Sequence, residues 1–146
     1  HFFPTRRSSD LKLAEKHNLP KVIKDFLSTH HGRGLTKYFY ISYKNEHPAE
    51  EVDQEKFRYP GPNPFTKEQA VLMMADSVEA ASRSLPEYTE ESISTLVDKI
   101  IDTQVSEGYF KECPITFKDI ATVKALFKEK LKTMYHTRIS YPELRK

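Results

Sequence analysis

Apolar residues recur along this chain at spacings of three and four, the period that gathers side chains on one face of an α-helix. Val22, Ile23, Phe26 and Leu27 follow Pro20, which sits where a first-turn proline belongs, and Gly32 and Gly34 stop that run. Leu35 to Lys44 is rich in aromatic residues and reads as a short helix, with Tyr38, Phe39 and Tyr40 mostly in the core. Thr66 and Gln69 form a capping-box pair ahead of Ala70, Val71, Met74, Val78, Ala81 and Leu85, and Pro86 ends that stretch. Thr89 opens a second long helix that carries Ile93, Leu96, Val97, Ile100, Ile101 and Val105 up to Gly108. Thr116 with Asp119 opens a third, carrying Ile120, Val123, Leu126, Phe127, Leu131 and Met134. Three amphipathic helices of about twenty residues each predict an all-α bundle.

Two stretches fall outside that pattern. Glu46 to Phe65 holds four prolines and the string Tyr59-Pro60-Gly61-Pro62-Asn63-Pro64, and so reads as a loop. Loops of that length in a compact domain are commonly functional or disordered. His1 to Leu11 has neither helical nor strand periodicity, and Arg6 to Leu11 resembles the translation of a common sequencing adapter. Residues 1–11 are therefore expected to be a non-native or disordered leader and residues 12–146 the domain, with the natural protein continuing upstream of Lys12.

Composition narrows the classes. The 146 residues carry 23 basic and 21 acidic side chains, a formal net charge of +2, with both signs mixed throughout. That balance gives no concentrated basic face, and no DNA or RNA duplex partner is expected. No apolar run approaches the ~18–20 residues that span a bilayer. Cys113 is the one cysteine, which excludes an internal disulfide, and no Cys-His spacing makes it a nucleophile.

Two places break the local rules. Asp76 lies within Val71-Leu72-Met73-Met74-Ala75-Asp76-Ser77-Val78, where an ionised carboxylate is costly to bury unless paired or metal-bound. It either looks to solvent, pairs with Arg83, or serves as a ligand. His30 and His31 close a helix just before Gly32, either as a solvated helix end or as imidazole donors to a metal. His17, in a polar helix end, reads as surface.

The strings His30-His31-Gly32, Leu35-Thr36-Lys37-Tyr38-Phe39-Tyr40, Phe57-Arg58-Tyr59-Pro60-Gly61-Pro62, Ala75-Asp76-Ser77-Val78-Glu79-Ala80-Ala81-Ser82-Arg83-Ser84-Leu85 and Tyr135-His136-Thr137-Arg138-Ile139 occur in this order. Together they resemble the C-terminal half of the HD hydrolase domain in bacterial seven-transmembrane-receptor HD proteins, a family that includes membrane-bound cyclic di-AMP phosphodiesterases. The likeness runs from about Leu13 to Glu143. It implies a truncated all-α HD-domain fold and two divalent metal ions, Fe or Mn favoured over Zn. It also implies a cyclic dinucleotide substrate, opened to the linear form, and a cytoplasmic domain joined to a membrane through segments outside this chain. On the same resemblance His30 and Asp76 match metal ligands, and His31 a ligand or a donor to substrate phosphate. Lys37 and Arg58 match positions able to meet phosphate, and Tyr59 one able to stack on adenine.

The family's earlier His, its His-Asp pair and the following His have no counterparts, since no His-Asp dipeptide occurs in the chain. An incomplete metal site and an inactive isolated chain are expected. Arg83 is expected to orient carboxylates such as Glu79, and His136 and Arg138 to organise the C-terminus. Two other functions fit the same pattern: a catalytically silent helical signalling or interaction module, and an HD phosphohydrolase acting on another nucleotide.

Overall fold

A computed structural model describes residues 6–136. Six α-helices follow one another: α1 Arg6–Lys16, α2 Lys21–Thr29, α3 Lys37–Glu46, α4 Lys67–Ser82, α5 Glu90–Ser106 and α6 Phe117–His136. A 3-10 helix, Gln54–Phe57, lies inside the long loop, and the described residues form no strand beyond an isolated bridge between Leu35 and Arg58. The all-α expectation holds. Residues 137–139, Arg138 among them, and the Tyr38 side chain lie outside what is described.

The chain divides into two compact units, and the division falls inside α4 between Met73 and Met74. The first holds the residues up to Met73 together with Tyr109–Pro114. Helix α1 begins at Arg6, so Arg6–Leu11 is helical despite its lack of apolar periodicity. The segment contains no Gly, Pro or β-branched residue after Thr5, so the strongest helix breakers are absent from it. Helix α2 packs against α1, yet its Val22 is 57% and its Ile23 41% exposed. The sequence pattern identifies an apolar face but not whether the described residues cover it. Phe57 is the buried anchor of the long loop, meeting Tyr40 edge-on at 5.7 Å and Tyr43 at 5.6 Å. The aromatic run of α3 thus grips the loop, and Phe39 stays exposed instead of joining the core.

The α4 cap forms as the spacing predicts. Gln69 N donates to Thr66 Oγ1 at 3.2 Å, while Gln69 Oε1 accepts from the backbone N–H of Thr66 and of Phe65. Thr89 and Ser92 cap α5 reciprocally, and Thr116 and Asp119 bond reciprocally at the start of α6, each at 3.0 Å. Such caps satisfy N–H groups that the first helical turn leaves without partners.

The second unit contains Met74–Gly108 and the chain from Ile115 onward. Its core is Met74, Val78, Val97, Ile101, Leu131 and Tyr135, all nearly inaccessible. Full burial of each aliphatic side chain contributes about 1.5–3 kcal/mol. Gln104 takes the next inward position on α5, where the apolar pattern had pointed to Val105, and donates Nε2–H to Ser77 Oγ at 2.8 Å. Ser82 Oγ donates to Glu79 O at 2.7 Å, which leaves the Tyr135 hydroxyl to donate to Ser82 Oγ at 2.9 Å. On α6, Leu126 and Met134 are exposed, because Tyr135 and Leu131 occupy the inward phase.

Ion pairs join α5 to α6 on their solvent side. Lys132 Nζ donates to Glu90 Oε1 at 2.9 Å. That hydrogen bond, and the charge attraction after it, hold Glu90 below the usual carboxylate range and Lys132 above the usual lysine range. Glu90 therefore adds stability that is present above the ordinary carboxylate pKa and lost as pH falls through its lowered value. Lys132 adds stability that is present below the ordinary lysine pKa and lost as pH rises through its raised value. Lys132→Gln is expected to lower the melting temperature slightly and evenly across neutral pH, with the difference vanishing in strong acid and strong alkali. Thermal melts of both proteins over that range check it, and a difference that persists in strong acid would contradict the assignment.

Candidate functional site

His30 stands at the C-terminus of α2, its backbone N–H bonded to Phe26 O. Its half-buried imidazole donates Nδ1–H to Leu27 O at 2.9 Å, with Phe26 O at 3.3 Å. A backbone carbonyl can only accept, so Nδ1 carries a hydrogen and Nε2 is the ring nitrogen left to act as a donor atom to a metal, the usual support of a metal-binding histidine. His31 follows with its ring centroid 3.9 Å from that of His30. Tyr59 stacks on the His31 ring with centroids 4.5 Å apart and planes only 14° from parallel.

The long loop is fastened to this turn at several points. Thr36 donates both its N–H, at 2.8 Å, and its Oγ1–H, at 2.6 Å, to Phe57 O. Tyr59 N donates to Gly34 O at 2.9 Å, and Arg58 Nη1 donates to Arg33 O at 3.0 Å. Arg33 N donates to the Asn63 side-chain carbonyl at 2.8 Å, and the Arg33 guanidinium bonds Glu55. Residues up to thirty positions further along the chain therefore return to the His-His turn, and Tyr59 stacks on His31 there.

Asp76 belongs to the other compact unit and is solvent-exposed on α4. Its apolar sequence neighbours do not draw it into the core, and helical phase is the reason. Met74 and Val78 define the buried side, and a residue two positions from Met74 is turned roughly 200° away. Arg83 pairs with Glu79 at 2.9 Å, as its spacing suggested, and that pairing takes Arg83 to Glu79 instead of to Asp76. Lys37 is exposed at the first position of α3. Arg58 is three-quarters covered and lies 3.2 Å from Glu55 as well as on Arg33 O. Tyr59 anchors the loop on His31, whereas burial in the core falls to Phe57.

Among the described residues, no group of three or more His, Cys, Asp or Glu side chains is placed to hold a metal ion. The fit to a metal therefore rests on His30, whose ring is presented as a ligand's ring is. Arg33, Glu55 and Asn63 are parts of the site that the sequence reading left out. The one local hint was Arg33 between two glycines, a basic side chain in a turn that exists for some purpose.

No family model matches the chain. It is 41% identical over 134 residues to the cyclic-di-AMP phosphodiesterase PgpH of Bacillus subtilis, covering 92% of this chain and 19% of that protein. It is 39% identical over 132 residues to PgpH of Listeria monocytogenes, covering 90% of this chain and 18% of that protein. The chain thus spans less than a fifth of these curated relatives. The crystal structure of the L. monocytogenes PgpH HD domain in complex with cyclic-di-AMP superposes with a TM-score of 0.83 at 36% identity, covering 88% of this chain and 59% of that one. A second structure of the same HD domain gives 0.82 at 35% identity, covering 89% of this chain and 60% of that one. Over nearly nine-tenths of its length this chain is thus homologous in sequence to PgpH and similar in fold to part of the PgpH HD domain.

Proposed function

We propose that the chain is part of a metal-dependent phosphodiesterase domain that opens cyclic di-AMP to the linear dinucleotide. The observation that carries this reading is the superposition, at 36% identity, on a PgpH HD domain in complex with cyclic-di-AMP. His30, through Nε2, His31 and Asp76 would each offer a donor to divalent ions, and further donors would come from the portion of the domain outside this chain. When bound, a pair of such ions supplies a nucleophile at neutral pH and offsets charge on the attacked phosphoryl group. Fe or Mn suits a mixed imidazole and carboxylate donor set, with Zn the next choice.

The chain's own residues do the positioning. Leu27 O keeps the proton of His30 on Nδ1, and Tyr59 holds the His31 plane. Lys37 and Arg58 supply cationic donors for phosphate, and the exposed edge of the Tyr59 platform offers adenine a surface. The domain is read as the cytoplasmic part of a bacterial membrane protein, joined to the bilayer by segments outside these residues. Among the described residues no helix is long and apolar enough to cross a membrane.

The test compares this chain with one extended to the full HD domain, both loaded with Mn or Fe and given cyclic di-AMP. The extended chain is expected to release the linear dinucleotide and the 146-residue chain to leave the substrate intact. Lys37→Ala in the extended chain is expected to raise KM about ten- to a hundredfold with bound metal unchanged, the worth of one charge-assisted phosphate contact. A metal-loaded extended domain that leaves cyclic di-AMP intact would overturn the reading, and robust turnover by the short chain would overturn the need for donors outside it.

A further inference from the structure

Arg33 precedes α3 and Arg58 lies within the long loop, yet both guanidinium groups converge on one carboxylate. Arg33 Nη2 bonds Glu55 Oε2, and Arg58 Nε lies 3.2 Å from Glu55 Oε1. Each carboxylate oxygen takes one guanidinium, which is the way paired arginines grasp the oxygens of a phosphate. The three groups are not equally fixed. Arg58 is anchored independently, its Nη1 donating to Arg33 O at 3.0 Å, and its side chain is only 25% exposed. Glu55 is 61% exposed and sits on a one-turn 3-10 helix whose backbone is held by the Asp53 side chain. Its carboxylate can leave without disturbing either arginine backbone.

Charge points the same way. Two guanidinium groups against one carboxylate leave a net positive charge beside the His30-His31 turn. An exposed ion pair contributes little to stability, so a dissolved anion competes with it at low cost. We infer that Glu55 is an internal stand-in for an anionic ligand: Arg33 and Arg58 form a phosphate-binding pair that Glu55 occupies and an arriving phosphate or phosphodiester displaces. The exchange makes and breaks no covalent bond. The same N–H donors pass from carboxylate oxygen to phosphate oxygen, and Glu55 turns to solvent. Arg33 becomes an anion-binding residue, and Glu55 a brake on weakly charged ligands. The inference rests on the phosphodiesterase reading only for the identity of the natural anion.

The experiment uses the 146-residue chain in metal-free, low-salt buffer with inorganic phosphate as the probe, following the guanidinium Nε–H signals by nuclear magnetic resonance. Glu55→Gln is expected to bind phosphate about three- to fivefold more tightly than the parent, a size set by the modest worth of an exposed pair. Arg33→Gln is expected to weaken binding, and adding it to Glu55→Gln to cancel the gain. Both Arg33 and Arg58 signals should move with phosphate in the parent. If Glu55→Gln binds no more tightly, or Arg33→Gln binds as the parent does, Glu55 is only a fastener of the loop and the inference falls. No turnover enters these measurements, so an inactive extended domain would overturn the proposed function while leaving this result standing.

Discussion

Alanine at His30 or at Asp76, introduced into the complete HD domain, is expected to lower cyclic di-AMP turnover by at least about a hundredfold. Loss of a hydrogen-bonding partner behind a ligand already costs roughly 10–100-fold in metal affinity or activity, and loss of the ligand itself costs no less. The two changes should differ in what they leave behind. Asp76 is exposed, so its removal touches no packing and should change stability by no more than about 0.5 kcal/mol. On the proposed ligand role it also takes an anionic oxygen from the bound cations, which should empty metal from the protein. His30 is half-buried and bonded to Leu27 O at 2.9 Å, so its loss should cost about 0.5–1.5 kcal/mol in addition. Water can fill the position it vacates, and more metal should stay bound than in the Asp76 variant. Elemental analysis, steady-state kinetics and thermal melts on both variants separate these effects. Normal metal content and normal turnover in Asp76→Ala would end the assignment of that carboxylate as a ligand.

What the sequence disclosed was local. The Thr66–Gln69, Thr89–Ser92 and Thr116–Asp119 caps each connect residues three apart, and the two pairs read from the sequence as helix starts form as read. Helix existence followed from the same short-range information. The features the sequence left open or did not show depended on something the period does not carry. Val22 and Ile23 mark an apolar face correctly, but periodicity is silent on what lies against it. Asp76 has apolar neighbours in sequence, yet α4 turns it away from Met74 and Val78, and a phase error of two residues reverses the side. The Arg33–Glu55 and Arg33–Asn63 contacts span 22 and 30 residues, with no repeated spacing to announce them. The His-His turn was legible as chemistry because two imidazoles before a glycine are conspicuous. The frame that holds it was not, because its parts are ordinary polar residues brought together only by the fold.

That frame gives the second large effect, at Gly32. Its φ of +49° is a left-handed conformation that costs an L-residue about 1–2 kcal/mol. A Cβ there would also meet Asn63 Oδ1 at 2.7 Å, the atom that accepts from Arg33 N at 2.8 Å. Displacing it forfeits a hydrogen bond worth about 0.5–1.5 kcal/mol. Gly32→Ala should therefore destabilise the protein by about 2–3 kcal/mol, and denaturant unfolding measures the loss directly. The steric and conformational parts can be separated by a double-mutant cycle. In an Asn63→Ala background no carbonyl opposes the new methyl group, so the same substitution should cost roughly 1 kcal/mol less. Strict additivity of the two changes would show that the Asn63 contact plays no part in shaping the turn. The expected coupling would show that the far end of the long loop sets the backbone next to His31, which ties the stability of this turn to the site it carries.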